Sequence, residues 1–524
     1  MAKQTLKSTA KLLPVNNKPM YLADSAQIRT ADKIQIEERK FPGILLMEQA
    51  GKLAAEAILS RFAAESRFLV LAGPGNNGGD GLVIARYLHL AGKETEILYS
   101  HDPSRYTGDA GINEEIISRF PISRKVYGSV APEYLREILL QRPVVIDALL
   151  GTGVESVLRG PVAEMIEVVR EMKPLVVAID LPSGLDAGTG AVRNQVPEAV
   201  VTLTFQLPKI CHYITPAANA CGEVVVLDIG IWPEVVESLN IRRIVLDETF
   251  FRSQYRARKN DGHKGTFGHM LVVGGSRNMA GAVALTALAG VHSGAGLCTV
   301  FTPDSCRQTV LSAVPEAMCI GAGEPGRSRL MERDADVFRE ILAGKSVVVL
   351  GPGMGQDIET QAFLAAILPM IEVPVVVDAD ALNFLAIRTD LWNYLPEKAI
   401  LTPHPGEMQR LIRRDDVSEQ RLEVAEELTV KRKVITLLKG AGSIIATPEG
   451  ITYVNTSGNS GMATGGSGDV LSGIIGSLCA QGYSPSIATA LGVYLHGKAG
   501  DAAAREYGQE GVTANRIAAA FSFL

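Results

Sequence analysis

Apolar residues along this chain recur in two patterns that alternate from one end to the other. Short apolar runs that end in glycine or an acidic residue are typical of buried parallel strands. The segments between them carry apolar residues three or four positions apart, as amphipathic helices do. This alternation predicts mostly parallel sheets with helices on both faces, and ligands bind such sheets at the carboxyl ends of the strands.

Two series of predicted strands divide the chain. Before the first series, residues 23–58 have helical spacing interrupted at Phe41-Pro42-Gly43, which predicts two helices. The first series is predicted at 67–72, 96–99, 143–148, 175–180, 200–205 and 223–227. The second series is predicted at 269–274, 297–301, 346–350, 374–378, 399–401, 434–438, 443–446 and 451–454. A hairpin-like turn at 447–450 joins the last two strands.

The two series predict two α/β domains with a polar segment between them. Residues 241–262 are rich in charged side chains, and we expect a linker there. The expected organisation is therefore a polar arm at 1–20, a first domain at 21–240, the linker, and a second domain at 263–524. The arm carries lysines but lacks the apolar core of a signal peptide.

Composition indicates which kinds of molecule the protein binds and in which compartment it works. A net charge of −6 over 524 residues argues against a broad nucleic-acid footprint, so we expect small-molecule partners. Apolar runs fall short of the ~20 residues that span a bilayer, so we expect no membrane segment. The six cysteines have neither CxxC nor Cys/His ligand spacing. Reduced thiols are expected, which fits the cytoplasm.

A glycine-rich loop at 461–470 is predicted to open a helix in the second half. The apolar positions that follow fall on one helical stripe: Val470, Leu471, Ile474, Ile475 and Leu478. Glycine backbone can approach an anion closely, and the first-turn N–H groups of a helix point toward it. A phosphate group is the expected ligand of this loop, and Asp469 is placed to take a proton from a hydroxyl group. In the alternative interpretation, Asp469 only caps a helix after a flexible turn.

Three predicted strands of the first half end in polar residues. One runs into the glycine-rich sequence 73–81, whose Asn76, Asn77 and Asp80 are not needed for a tight turn. Asp147 and Asp180 end two further apolar strands. Because such strand ends meet at one edge of a parallel sheet, these groups are expected to converge on a polar ligand or an ion. The alternative interpretation is helix capping by the acids.

The motifs GPGNNGGDG, VIDALLGTG and AIDLPSG, after an LMEQAG helix, closely resemble the NAD(P)H-hydrate epimerase domain over roughly residues 21–239. The resemblance implies that Asp180 acts on the substrate and that Asn77, Asp147 and Ser183 hold a potassium ion, for which oxygen ligands are suitable. It also implies a hydrate pocket lined by Asn76, Asn77, Gly78, Gly79, Asp80, Gly151, Thr152, Gly153, Val154, Glu155, Ser156, Val157 and Leu158.

The second half carries further candidate groups at strand ends. Small residues at 274–276 and 280–282, and again at 351–355, suit the walls of a pocket. His404 lies between two prolines that are expected to aim it outward, although a lone histidine is more often structural. Lys439 is followed by Gly440, Ala441, Gly442 and Ser443, a sequence suited to nucleotide phosphates or, alternatively, to a solvated turn.

This set, with HKGTFG, GGS and SGAGL, resembles the ribokinase-type NAD(P)H-hydrate dehydratase over about 263–524. The resemblance implies that Ala282, Gly353, His404 and Asp469 contact the hydrate. It implies ADP as the phosphate donor, with Mg²⁺ bridging its phosphates. It further implies nucleotide binding by Lys439, Gly440, Ala441, Gly442, Ser443 and Gly468.

Together these observations predict a Rossmann-like three-layer sandwich followed by a ribokinase-like one. The predicted function is repair of NADHX and NADPHX, by epimerisation of the R and S hydrates and ADP-dependent dehydration of the S form to NAD(P)H, releasing AMP and phosphate. The main alternative is a small-molecule kinase, for example of a vitamin precursor, with a non-catalytic dinucleotide-binding module at the N-terminus. Since paired α/β sheets often self-associate, we also expect a homo-oligomer.

Overall fold

The computed structural model describes residues 19–153, 156–258 and 260–521. Val154, Glu155 and most of the predicted N-terminal arm lie outside the described residues. Within the described ranges the chain forms two sheets, one of seven and one of ten strands. None of the helices in those ranges has both the length and the apolar character needed to cross a bilayer.

The strands of the first sheet are β1 (Arg67–Ala72), β2 (Glu94–Tyr99), β3 (Ser123–Val126), β4 (Val144–Ala148), β5 (Leu175–Ile179), β6 (Val201–Phe205) and β7 (Glu223–Leu227). Their spatial order is β3-β2-β1-β4-β5-β6-β7, and every neighbouring pair is parallel. The first six positions follow the Rossmann order. Six of the strands were predicted. Strand β3 was missed because it is a polar edge strand without a buried face.

The helices of the first domain are α1 (Ser25–Lys33), α2 (Gly43–Arg61), α3 (Asn76–Leu90), α4 (Gly108–Ile117), α5 (Tyr134–Leu140), α6 (Pro161–Met172) and α7 (Pro233–Ser238). They cover both faces of the sheet. Phe68 and Val70 of β1 pack in one core with α2 and α3, whereas Leu69 and Leu71 pack in another with α5 and α6. Because successive side chains of a strand point to opposite faces of the sheet, β1 contributes to the hydrophobic core on each face.

The strands of the second sheet are β8 (Arg243–Leu246), β9 (His269–Val273), β10 (Leu297–Pro303), β11 (Met318–Ala322), β12 (Val347–Leu350), β13 (Val375–Val377), β14 (Ile400–Leu401), β15 (Ile435–Leu438), β16 (Ile444–Ala446) and β17 (Thr452–Asn455). Their order is β11-β10-β9-β12-β13-β14-β15-β16-β17-β8. Pairing is parallel except at β15-β16 and β16-β17, so the predicted hairpin is confirmed.

The helices of the second domain are α8 (Glu248–Gln254), α9 (Ala280–His292), α10 (Asp304–Ala313), α11 (Ala335–Leu342), α12 (Ile358–Ile367), α13 (Asp380–Ile387), α14 (Pro405–Ile412), α15 (Arg421–Arg432), α16 (Ser467–Ala480), α17 (Pro485–Tyr507) and α18 (Ala514–Ala520). Helices α11 to α15 share one core with the sheet, and α8 to α10 with α16 to α18 share the other. The predicted fold class, two three-layer α/β domains, is confirmed.

The predicted linker at 241–262 is wrong over much of its length. Strand β8 pairs with β17 at the edge of the second sheet, and α8 buries Phe250 in the second core. The short apolar run of β8 stands among charged residues and therefore gave a weak strand signal. Residues just before α1, including the last residue of the predicted arm, also bond to this strand, through Leu22 N to Arg243 O at 2.9 Å and Val245 N to Met20 O at 2.9 Å. The two domains are thus joined by backbone pairing.

Candidate active sites

Close backbone contacts shape the first site, at the carboxyl ends of β1, β4 and β5. A Cβ atom on Gly73 would lie 1.7 Å from Leu149 O, and one on Gly78 would lie 1.8 Å from Gly73 O. Both positions therefore require glycine, because any side chain would overlap backbone. The loop after β1 is pressed against the loop after β4, which is how the predicted strand ends come together.

Asp180 lies directly after β5 with a left-handed backbone, at φ 67°. Its carboxylate forms an ion pair with the ammonium of Lys209, a side chain that is only 1% exposed. Thr204 stands between them, since its Oγ1 lies 3.2 Å from Asp180 Oδ1 and 2.8 Å from Lys209 Nζ. The left-handed backbone of Asp180 is strained, and such strain persists only where the surrounding structure holds the residue in place. Backbone strain of this type is common at functional sites.

His212 supports this pair from the buried side. Its Nδ1 accepts a hydrogen bond from Lys209 N at 3.0 Å, so Nε2 carries the proton and donates to Asp180 O at 2.9 Å. Burial lowers the pKa of His212 to about 3, and the Lys209 charge acts in the same direction. The imidazole is therefore neutral at physiological pH and holds the backbone of Asp180.

Two more carboxyl groups lie in the field of this ion pair. Burial raises the pKa of Asp80 well above its ordinary value, and the charges of Asp180 and Asp32 raise it further. Burial likewise raises the pKa of Asp32 to about 6, while Lys209 acts to lower it. The site thus places Asp80, whose pKa is raised by burial, next to the ion pair of Asp180 and Lys209.

The predicted cation ligands form a separate group beside it. Asp147 is 1% exposed and accepts hydrogen bonds from Ser183 N at 2.8 Å and Ser183 Oγ at 2.6 Å. Asn77 donates its Nδ2 to Leu150 O at 2.9 Å, but its buried Oδ1 has no hydrogen-bond partner among the described residues. A buried carboxylate and an unpartnered amide oxygen are groups that a hard cation satisfies.

Other predicted pocket residues surround these groups to different degrees. Gly151 lies between the two clusters, since a Cβ on it would be 3.4 Å from Asn77 Cβ and 3.5 Å from Asp180 Oδ2. Gly78 and Gly79 are buried, whereas Asn76, Gly153, Ser156 and Val157 are exposed, and Thr152 is partly exposed. Asn194 holds the end of this loop, because its Oδ1 accepts from Leu158 N at 2.8 Å.

The second site lies at the N-terminus of α16. The helix begins at Ser467 after Gly466, which has φ 88°, and the predicted apolar stripe is buried. The predicted glycine-loop-to-helix transition is therefore confirmed. Burial raises the pKa of Asp469 from 3.8 to about 7, and the nearby Asp378 charge raises it further while Lys439 lowers it. Asp469 is positioned in the first turn rather than at the cap, which has no side-chain hydrogen bond.

Lys439 lies largely buried at the centre of a charged cluster. Its Nζ lies 2.8 Å from Asp378 Oδ1 and 3.8 Å from Glu407 Oε2, and the side chain is 18% exposed. Burial acts to raise the pKa of Asp378, but the Lys439 ammonium, together with hydrogen bonds from two hydroxyl groups, holds the pKa below its ordinary value. A Cβ on Gly468 would lie 3.4 Å from Lys439 Nζ, so this cation is next to the start of α16. The alternative of a solvated turn does not fit this lysine.

The predicted hydrate contacts lie at the rim of the same sheet. His404 caps α14 through Nδ1, which accepts from Gly406 N at 3.1 Å, and its ring is 52% exposed. It therefore has a structural role as well as an outward aim. Gly353 has φ 58°, and a Cβ on it would lie 3.0 Å from Ala282 Cβ, so these two small residues adjoin.

A wide cleft of about 1110 Å³ lies between the domains. Its lining includes Arg193, Arg243, Glu423 and Glu426 but none of the predicted site residues. Cavity size therefore does not mark the candidate chemistry, which lies where strand ends bring charged groups together.

Comparison with known proteins assigns both halves. Residues 44–211 match the family described as YjeF-related protein N-terminus, and residues 270–522 match the family described as NAD(P)H-hydrate dehydratase. The chain is also 40% identical over 506 residues to the bifunctional NAD(P)H-hydrate repair enzyme Nnr of Moorella thermoacetica, covering 95% of each chain. This chain belongs to the bifunctional NAD(P)H-hydrate repair enzyme family. The predicted family and the predicted pairing of two enzymatic halves are confirmed.

Further members of the repair enzyme family and solved structures also match. The Escherichia coli relative is 33% identical, covering 93% of this chain and 92% of that one. A ribokinase-like superfamily protein from Enterococcus faecalis is 30% identical, covers 54% of this chain and 94% of that one, and has a TM-score of 0.48. An ADP/ATP-dependent NAD(P)H-hydrate dehydratase from Bacillus subtilis, co-crystallised with ATP/Mg²⁺, is 28% identical, covers 52% and 93%, and has a TM-score of 0.45.

Sequence reasoning missed several residues of these sites, among them Lys209, Asp378 and His212. Lys209 follows β6 by four residues and is thus a charged group after an apolar strand, the same signal that selected Asp180. Asp378 follows β13 directly and had the same signal. His212 had none, because a histidine inside an irregular segment shows its role only through its contacts.

Proposed function

We propose that the first site interconverts the R and S hydrates of NADH and NADPH, and that the second dehydrates the S hydrate with ADP, releasing AMP and phosphate. The observation that carries this proposal is the presence of two separate acid–base centres. Asp180 lies with Lys209 at the edge of the first sheet, and Asp469 lies with Lys439 at the edge of the second. Family membership supports the pairing of the two reactions.

In the first site, Asp180 is the acid/base for C6 of the hydrated nicotinamide. Inverting that carbon requires a bond from C6 to the ring nitrogen or to the hydroxyl oxygen to break and to re-form on the opposite face. Breaking either bond moves a proton to or from the hydroxyl group or the nitrogen, and a carboxylate shielded from water can carry that proton and return it. Lys209 forms an ion pair with Asp180, and Asp80, whose pKa is raised by burial, is a second carboxyl group close enough to interact with that pair. Residues 76–80 and 151–158 would line the hydrate pocket beside them.

Asn77, Asp147 and Ser183 would hold a potassium ion in the first site. The unpartnered Asn77 Oδ1 and the buried Asp147 carboxylate fit a cation of this type. When bound, potassium supplies a positive charge that balances Asp147 and attracts polar groups of the hydrate. Among the described residues no group of three or more His, Cys, Asp or Glu side chains forms a metal cluster. The potassium ligands would instead be one carboxylate, one amide and one hydroxyl group.

In the second site, Asp469 takes the proton of the C6 hydroxyl, whose oxygen then attacks the β-phosphorus of ADP as the bond to AMP breaks. The phosphate ester formed at C6 leaves as inorganic phosphate, and loss of the neighbouring ring proton restores the double bond of NAD(P)H. Backbone N–H groups at the start of α16 stabilise the transferring phosphoryl group. Ala282, Gly353 and His404 would contact the hydrate.

Residues 439–443 and Gly468 would hold the ADP. Lys439 balances its phosphate charge, and Asp378, Glu407 and Asp469 interact electrostatically with this lysine. Carboxylate oxygens of this kind suit Mg²⁺, which when bound with the nucleotide neutralises phosphate charge.

The test offers the S hydrate and the R hydrate separately, with ADP and Mg²⁺, and follows the recovery of NADH absorbance. Wild-type protein should restore NADH from both. The Asp469→Asn variant should lose dehydration of either hydrate, whereas Asp180→Asn should process the S hydrate but use R only as fast as it epimerises spontaneously. A phosphorylated alcohol without NADH would select the small-molecule kinase instead, and unaltered use of R by Asp180→Asn would remove the epimerase assignment.

We further propose a reducing compartment, the cytoplasm. All six cysteines, each in a described segment, are unpaired, and five of them are buried. Self-association of the chain remains a prediction, to be checked by its mass in solution.

A further inference from the structure

Arg421, the first residue of α15, is a buried cation without a carboxylate partner. It is 5% exposed, and within the described ranges it has no acidic group at ion-pair distance. Burial lowers its pKa to about 10, so it remains charged at neutral pH. It also lies at the positive end of a helix, where a cation is disfavoured. Burying a cation at this position costs free energy, and the hydrogen bonds of Arg421 offset that cost.

Those bonds connect the first domain to the loop at 439–443. Arg421 Nη1 donates to Ala441 O at 2.6 Å and to Thr215 Oγ1 at 2.5 Å, and Nη2 lies 3.5 Å from Lys439 O. The hydroxyl of Thr215 in turn donates to Ala441 O at 3.2 Å. Thr215 belongs to the first domain, so one carbonyl of the loop is held by a residue from each domain.

Gly442 is also in contact with the first domain. A Cβ on it would lie 2.4 Å from Tyr213 O, and its φ is 62°. Gly440, with φ 138°, likewise adopts a backbone that other residues rarely take. A loop with two such glycines loses much conformational freedom when it is ordered. Within the loop, Ser443 Oγ donates to Gly440 O at 2.9 Å, which leaves Ala441 to be fixed from outside.

We propose that Arg421 and Thr215 are positioning residues of the nucleotide site, through which the first domain holds loop 439–443 in the shape that binds ADP. This inference rests on the proposed role of the loop. If the loop is already ordered before ADP binds, none of the free energy of binding is spent on ordering it, and the affinity for ADP is higher. ADP affinity in the second domain therefore depends on a hydroxyl group from the first.

The test measures dehydration of the S hydrate at saturating concentration by the full chain, while ADP is varied. Thr215→Val removes the hydroxyl but keeps the shape, and it should raise the KM for ADP roughly threefold to tenfold, as expected for one coupled contact. The kcat should stay within about twofold, because no group that touches the reacting atoms has changed. Thr215→Ser keeps the hydroxyl and should restore the wild-type KM. Thr30→Val, the same change at an exposed position of α1, is the control.

A second variant and a binding measurement complete the test. Arg421→Lys keeps the charge but replaces the planar guanidinium by a single nitrogen, which cannot reach Ala441 O, Thr215 Oγ1 and Lys439 O in the same geometry, so it should also raise the KM for ADP. Calorimetric titration with ADP and Mg²⁺ should show the same losses without any turnover. The rate of epimerisation of the R hydrate should remain at the wild-type value in Thr215→Val.

The outcomes separate this inference from the function on which it rests. If wild-type protein neither binds ADP nor dehydrates the S hydrate, the proposed function fails and this inference fails with it. If wild-type protein binds ADP and Thr215→Val binds it equally well, only the inference is overturned. A parallel fall of kcat, or of the epimerase rate, would also overturn it, because the substitution would then have disturbed more than the loop.

Discussion

Replacing Asp469 by Asn should abolish dehydration and at the same time stabilise the second domain at alkaline pH. Folding raises the pKa of this carboxyl from 3.8 to about 7, so the folded state opposes its ionisation. A group whose pKa is raised by folding stabilises the protein fully below its unfolded pKa and loses that effect as pH rises through the folded value. The wild type should therefore lose stability relative to the variant between about pH 4 and pH 7.

The size of this effect follows from the shift. About three pH units at about 1.4 kcal/mol each give an upper limit near 4 kcal/mol. The side chain is only partly buried, so solvent screening lowers this to about 2–3 kcal/mol. The neutral amide of the Asp469→Asn variant would no longer offer a negative charge to the first turn of α16, which costs about 0.3–1 kcal/mol. The variant should thus be about 1–3 kcal/mol more stable at pH 8.

The assay is urea unfolding of both proteins at pH 4, 6 and 8. Trp392 is buried in the second domain and Trp232 is exposed in the first, so fluorescence in a Trp232→Phe background reports on the second domain. At pH 4 the two proteins should agree within about 0.5 kcal/mol, because Asp469 is then neutral. A variant that is less stable than the wild type at pH 8 would refute the reasoning. It would indicate that Asp469 stabilises α16 as an ordinary first-turn acid.

Three further predictions concern the first domain. Lys209→Met should lower epimerisation at least about 100-fold and reduce the free energy of unfolding by about 3–5 kcal/mol, since it leaves the largely buried carboxylate of Asp180 without its ion-pair partner. The exposed Lys125→Met is the control. If Lys209→Met used the R hydrate as fast as the wild type does, the role of the ion pair would be contradicted. Potassium chloride should raise the melting temperature of the first domain more than choline chloride does, and Asp147→Asn should remove the difference; equal responses would count against a potassium site. Gly73→Ala should unfold or misassemble the first domain, because its Cβ would overlap Leu149 O, and normal epimerase activity would show that the contact can relax.

Most of the strands could be predicted from local sequence, and so could the positions of Asp147 and Asp180 at strand ends. An apolar run such as 67–72 is buried on both faces wherever it lies in a parallel sheet, so its pattern alone identifies it. The edge strands were different. Strand β3 is polar and half solvated, and β8 is a short run among charged residues, so neither carries that pattern. Strand β8 is part of the second sheet only because it pairs with the free edge of β17.

Partners of the acids were decided by tertiary structure. Lys209 reaches Asp180 across 29 residues and Lys439 reaches Asp378 across 61, and each pair forms only because crossovers bring two strand ends to the same edge. Arg421 depends still more on the fold, because its acceptors come from another domain and from another loop. Hydrophobic periodicity is a property of neighbouring residues and can be read along the chain. The pairing of buried charges is set by distances through space, which exist only once both sheets have formed.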